Sequence, residues 1–198
     1  MTVIKSFTPS VADLPEPFRR ALRGIRQASI RNEVVLHEIP APKRLAPYAV
    51  ALGAQVFETI GGPELATGRF ILLYDPAGSE VWQGAFRVVT YIRASLESDV
   101  GTDPMVGAVA WTWLVEALEN HQADYDHAGG TATRVLSESF GGLATQPDTI
   151  DIELRASWTP GSPEAQDHLE AWADMVCAFA GLPPVPEGVT AMPRIRRT

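Results

Sequence analysis

The sequence predicts an α+β fold: an antiparallel sheet of about six strands with helices packed mainly on one face. Three observations carry this. Residues 81–96 and 150–158 alternate apolar and polar side chains, the period-2 signature of strands buried on one face. Neighbouring strands are separated by short turns such as Asp75-Pro76-Ala77-Gly78 and Gln146-Pro147-Asp148, so they join as hairpins and not through helical crossovers. Residues 103–181 read as helix, strand, strand, helix. Asp103-Pro104 and Ser162-Pro163 open the two helices, and Gly181 followed by Pro183-Pro184 closes the second.

The elements follow in order. Residues 1–14 form a flexible leader, 15–187 a single α+β domain and 188–198 a basic tail. From Pro15-Glu16-Pro17 to about Ile30 the apolar residues Phe18, Leu22 and Ile25 fall on one stripe, with Arg19, Arg20, Arg23 and Arg26 mostly off it; this helix is expected to pack on the body. Strands are expected at 34–39 and 48–57, separated by a proline-rich connector at 40–47. A turn at Gly61-Gly62-Pro63 leads to a strand at 69–74, and the turn at 75–78 leads to the strand at 81–96. There Trp82, Phe86, Val88, Ile92, Ala94 and Leu96 face one way, and Gln83, Arg87, Tyr91, Arg93 and Glu97 the other. The helix at 104–120 is apolar nearly all round, which predicts burial on more than one side, against the sheet and either a further helix or a second subunit. Strands at 131–140 and 150–158 and a helix at 163–180, with Leu169, Trp172, Val176 and Phe179 on one stripe, complete the domain.

Net charge is −8 over 198 residues, but it is unevenly spread. Residues 1–47 hold eight Lys/Arg against four Asp/Glu, and 188–198 hold three arginines and no acid. The body between them holds five arginines against twenty acids, −15. A body this acidic repels nucleic acid, and its repulsion is relieved where a basic arm docks on it. One cysteine, Cys177, excludes an internal disulfide and suits a cytoplasmic protein; no apolar run is long enough to span a membrane.

Several strings together resemble one family. They are Arg44-Leu-Ala-Pro-Tyr-Ala-Val-Ala-Leu52, Gly68-Arg-Phe70 with Tyr74-Asp-Pro76, and Trp82-Gln-Gly84 with Phe86-Arg-Val-Val89. Trp111-Thr-Trp-Leu114, Ser137-Glu-Ser-Phe-Gly141, Arg155-Ala-Ser-Trp-Thr-Pro160 and His168-Leu-Glu-Ala-Trp172 follow. The chain after about residue 15 is similar to an uncharacterised actinobacterial family catalogued as domain of unknown function 3000. The resemblance implies no activity, cofactor or ligand.

Chemistry-bearing residues are few. His121, Asp124, Asp126 and His127 crowd one connector, but polar residues after a helix end ordinarily solvate a loop, so no metal is expected. Ser137, Ser139 and Ser157 lack the glycines of a nucleophile elbow, and Cys177 sits mid-helix as a packed thiol. Hence no catalytic residue and no cofactor is expected. Five tryptophans fall on elements that read as buried. The candidate ligand-binding residues are Arg87, Arg134 and Arg155, near the middle of three strands. They form either a cross-strand ion-pair lattice with Glu138, Asp151 and Glu153 or a platform for a carboxylate or phosphate. The functional expectation is a non-enzymatic cytoplasmic binding or assembly protein, self-associating as a homodimer and taking a protein or a small anionic ligand. The alternative is an enzyme acting on a small anionic substrate held by Arg87 and Arg155.

Overall fold

The computed structural model describes residues 13–59, 61–96, 101 and 103–182. Chain order is α1 (Glu16–Gln27), β1 (Val34–Glu38), β2 (Tyr48–Phe57), β3 (Glu64–Ser79), β4 (Gly84–Leu96), α2 (Val106–Asn120), β5 (Tyr125–Ser137), a 3-10 turn (Gly141–Leu143), β6 (Thr149–Pro160) and α3 (Gln166–Phe179). The six strands form one sheet in the order β1-β2-β3-β4-β6-β5, every neighbouring pair antiparallel. This is the expected α+β fold. The basic tail, and the leader apart from Asp13 and Leu14, lie outside the described residues.

One core joins the helices to one face of the sheet. Leu52, Phe70, Val88, Ile92, Leu154 and Trp158 project from alternate strand positions and meet Phe18, Leu22 and Ile25 of α1, Leu114 and Leu118 of α2, and Leu169, Trp172 and Val176 of α3. The basic side of α1 docks on the body as expected for one of its arginines: Arg20 bonds Glu164, just before α3, while Arg19 and Arg23 pair with Glu16 of their own helix.

The two long helices exchange the roles expected of them. In α2 only Val106, Ala110, Leu114 and Leu118 are buried, a single i, i+4 stripe, and Met105 and Val109 stand exposed. The helix buried on several sides is α3, where nine of fourteen residues are buried, including Ala171, Ala173 and Cys177 between the larger side chains. Small residues let neighbouring helices and the sheet approach α3 from more than one direction; hydropathy around α2 carries no such steric information. Gly68 does the same from the sheet side, since a Cβ there would stand 2.6 Å from the Trp172 ring.

Two boundaries also move. β3 runs through the expected turn at 75–78 to Ser79, which pairs with Gly84. The Asp-Pro-Ala-Gly chemistry is present, with Asp75 Oδ1 accepting the Ala77 N–H at 3.0 Å and Gly78 at φ +74°, but it makes an irregularity within the strand pair. The chain reverses at 80–83, where Gln83 takes φ 53°. β5 begins at Tyr125, inside the expected connector, because Tyr125 pairs with Pro160 of β6; a register shift between Asp126 and Gly129 follows.

Candidate site on the open sheet face

The face of the sheet away from the helices carries four of the body's five arginines, Arg69, Arg87, Arg93 and Arg155. Register alone builds its central row, one residue per strand: His37 of β1 opposite Gly53, Gly53 opposite Arg69, Arg69 opposite Tyr91, Tyr91 opposite Arg155, and Arg155 opposite Thr131 of β5. Antiparallel partners share a face, so all six belong to one strip across the sheet. Gly53 leaves room for the His37 ring, whose Nε2 would lie 2.6 Å from a Cβ at that position.

Two grooves lie side by side along the strip and share Arg69 and Tyr91. The larger, about 710 Å³, has Ile71, Val89, Arg155, Ser157 and the Gly129–Thr131 stretch of β5 around it. The smaller, about 570 Å³, lies between Arg69 and His37, with Ile39, Gln55 and Thr67. No histidine, cysteine or carboxylate lines the larger one among the described residues.

Each arginine has its own circumstances. Arg155 stacks on Tyr91, its guanidinium carbon 5.3 Å from the ring centroid, and bonds Glu153 at 2.8 Å. Burial and then a hydrogen bond with Glu153 hold the Tyr91 hydroxyl protonated above the ordinary phenol range. Arg93 bonds Asp151 at 2.6 Å across β4 and β6. Burial by itself raises the Asp151 carboxyl; the bonds from Arg93 and from Ser95 outweigh it and hold the group below its usual range. Arg87 meets no carboxylate among the described residues. It donates to the His127 carbonyl at 2.9 Å, Thr159 Oγ1 at 3.0 Å and Ser157 Oγ at 2.7 Å, and desolvation lowers its pKa. Arg69 is exposed and pairs with no carboxylate among the described residues.

Of the three arginines expected from sequence, the structure brings two to this face. Arg134 lies on the other, opposite Ile152 on β6, and donates to the carbonyls of Gly101 and Asp103. It ties β5 to the entry of α2. The expected acids divide likewise: Glu153 meets Arg155, Asp151 meets Arg93, and Glu138 stands exposed after β5. Sequence reasoning passed over Arg69 as a site residue. The signal was present in the alternation of Ala66, Gly68 and Phe70 with Thr67, Arg69 and Ile71.

The remaining polar groups separate. His121 bonds Asp174 at 2.8 Å, with Glu170 at 3.7 Å; the Asp174 bond raises its pKa against the effect of burial. His168 is 2% exposed, and burial pushes its pKa down to about 4. Cys177 is buried, its thiol pushed up to about 12 by burial, which leaves it without thiolate character. Among the described residues no group of three or more His, Cys, Asp or Glu gathers in a metal-holding arrangement, and no hydrogen bond joins a serine to a histidine. Trp158 and Trp172 are fully buried, whereas Trp82 lies in the β3–β4 turn. No helix among the described residues is long and apolar enough to cross a membrane.

Residues 14–190 match the family described as Protein of unknown function (DUF3000), and the chain belongs to it. No curated protein and no solved structure matches the chain.

Proposed function

We propose that this member of the DUF3000 family is a non-enzymatic cytoplasmic binding protein that holds a small organic acid on the open face of its sheet. Arg69 and Arg155 take the acid group, and Ile71, Val89 and the Tyr91 ring take its apolar body. The observation that carries this is Arg69: an exposed guanidinium without a carboxylate partner among the described residues, at the shared wall of two grooves, on a body of charge −15. Where acids outnumber arginines twenty to five, an arginine left unpaired has a position that the surrounding carboxylates do not satisfy. The groove is open to solvent and has room for a small organic acid.

Catalysis through Arg87 and Arg155 has less support. Three Arg87 N–H donors are already engaged by His127, Ser157 and Thr159, and no histidine or carboxylate among the described residues lines the larger groove. The lone buried Cys177 needs no oxidising compartment, which supports the cytoplasmic placement.

Calorimetric titration with a panel of aromatic and medium-chain carboxylates, each beside its uncharged amide, tests the proposal. At least one acid binds while its amide does not, and Arg69→Gln weakens that binding tenfold or more, about 1.4 kcal/mol. Equal binding of acid and amide, or affinity untouched by Arg69→Gln, overturns the site. Turnover of the bound acid overturns the non-enzymatic reading.

A further inference from the structure

We infer that the outer edge of β5 is the seat of a second copy of this chain, the two β5 strands pairing antiparallel about a twofold axis so that the sheets continue into one. This stands on observations separate from those of the anion groove.

β5 is an edge strand of thirteen residues, and among the described residues no backbone hydrogen bond crosses its outer edge. Such an edge presents a row of unmatched N–H and C=O groups, and proteins ordinarily blunt it with short length, lysine or proline. The opposite edge, β1, is five residues long. β5 is protected only near its start, by the register shift between Asp126 and Gly129; from Gly129 to Ser137 it pairs regularly with β6, Tyr125–Ser137 contains no lysine and no proline, and its one arginine, Arg134, turns away to Gly101 and Asp103.

Apolar exposure gathers at the same edge. Nine large apolar side chains stand exposed among the described residues, and six of them, Met105, Val109, Val135, Leu136, Phe140 and Leu143, lie at or on α2, on β5 and in the stretch after it. Leu136 is 60% exposed and Phe140 76%. These elements adjoin, because the Trp111 ring of α2 packs at Gly130 and the backbone of Gly107 in α2 lies against Ala132.

Three arguments make the occupant a second copy. An unpaired antiparallel edge is self-complementary under a twofold axis, the commonest symmetry of soluble oligomers. Charge favours the strand itself as the line of contact: two bodies of −15 repel, and β5 carries only Asp126 and Arg134, which cancel, whereas the acids Glu116, Glu119 and Glu138 flank it on α2 and in the turn after β5. Size is sufficient, since thirteen strand residues with the exposed side of α2 and the turn after β5 come to about 20 residues a side, the scale of a stable interface. The pairing also bears on the anion site. Gly129–Thr131 wall the larger groove, so the partner strand lies directly behind that wall and the two grooves sit beside each other across the axis.

Sedimentation of the full chain, with Leu136→Lys and Thr133→Lys as edge-blocking variants, tests the inference. The wild type sediments at twice 21.4 kDa, and its outward-facing β5 amides, those not bonded to β6, resist hydrogen exchange. Each lysine variant sediments at 21.4 kDa with those amides exchanging at least tenfold faster and an unchanged circular dichroism spectrum. A wild-type monomer at every concentration overturns the inference. So does a dimer that survives both lysines, or one whose outward-facing β5 amides exchange freely; the exchange measurement on the wild type decides even if a variant fails to fold. Neither position lines the groove, so acid binding by a monomeric variant keeps the two proposals distinguishable.

Discussion

Trp158 of β6 donates its indole N–H to Nδ1 of His168 on α3 across 3.1 Å, and both residues are sealed in the core. An accepting Nδ1 carries no proton, so the ring is neutral. Protonation would place a charge in the interior, which is why burial pushes this histidine down to about 4; it would also cost the Trp158 indole the one acceptor it has among the described residues.

The pH dependence follows with a definite sign. Between about 4 and the ordinary histidine value of 6.5 the unfolded chain binds more protons at this position than the folded one. The His168 contribution is therefore complete above 6.5 and lost as pH falls to 4, a change of roughly 3 kcal/mol. Urea unfolding from pH 7.5 down to pH 4 measures it. His168→Gln keeps an acceptor for Trp158 without titrating, so its stability profile is flatter across that window; an unchanged slope would assign the acid sensitivity elsewhere.

Gly68→Ala destabilises the fold by roughly 1–3 kcal/mol through overpacking. The new methyl would stand 2.6 Å from Trp172 Cζ2 and 3.2 Å from Val176, and Trp172 is fully buried with no room to retreat. Chemical denaturation of the purified variant reads the change. Wild-type stability would mean that α3 can lift from the sheet without loss.

Arg87→Gln separates support from binding. Its guanidinium joins the His127 carbonyl of β5 to Ser157 and Thr159 of β6, beside the register shift between Asp126 and Gly129. Losing these bonds costs about 1–3 kcal/mol and speeds amide exchange at 127–129. Affinity for the organic acid falls less than in Arg69→Gln, because the Arg87 donors are engaged within the protein. An equal or larger loss of affinity in Arg87→Gln would make it a direct ligand-binding group.

What could be read in the chain was whatever burial on one side writes into it. β4 and β6 are covered by helices on one face and open on the other, so their alternation is strict and places Arg87 and Arg155 correctly on the open face. The α1 stripe of Phe18, Leu22 and Ile25 is equally plain, and all three are buried. β5 is exposed along nearly its whole length, so nothing in Val135-Leu136 fixes which parity faces the helices, and Arg134 could be placed only by its pairing with Ile152. Apolar content likewise could not say that α3 and not α2 lies deepest, because depth depends on where small residues stand in space: Gly68 admits the Trp172 ring from the sheet side, and Ala171 and Ala173 are buried on α3 beside it. The strip from His37 to Thr131 depends on strand order and register, with β6 standing between β4 and β5. The sequence by itself determined the fold class and the faces of its one-sided strands, since each is a local response to burial. Only the tertiary structure decided which arginines share a surface, which of them meets no carboxylate among the described residues and which strands form the sheet's edges, since those depend on residues distant in the chain coming into register.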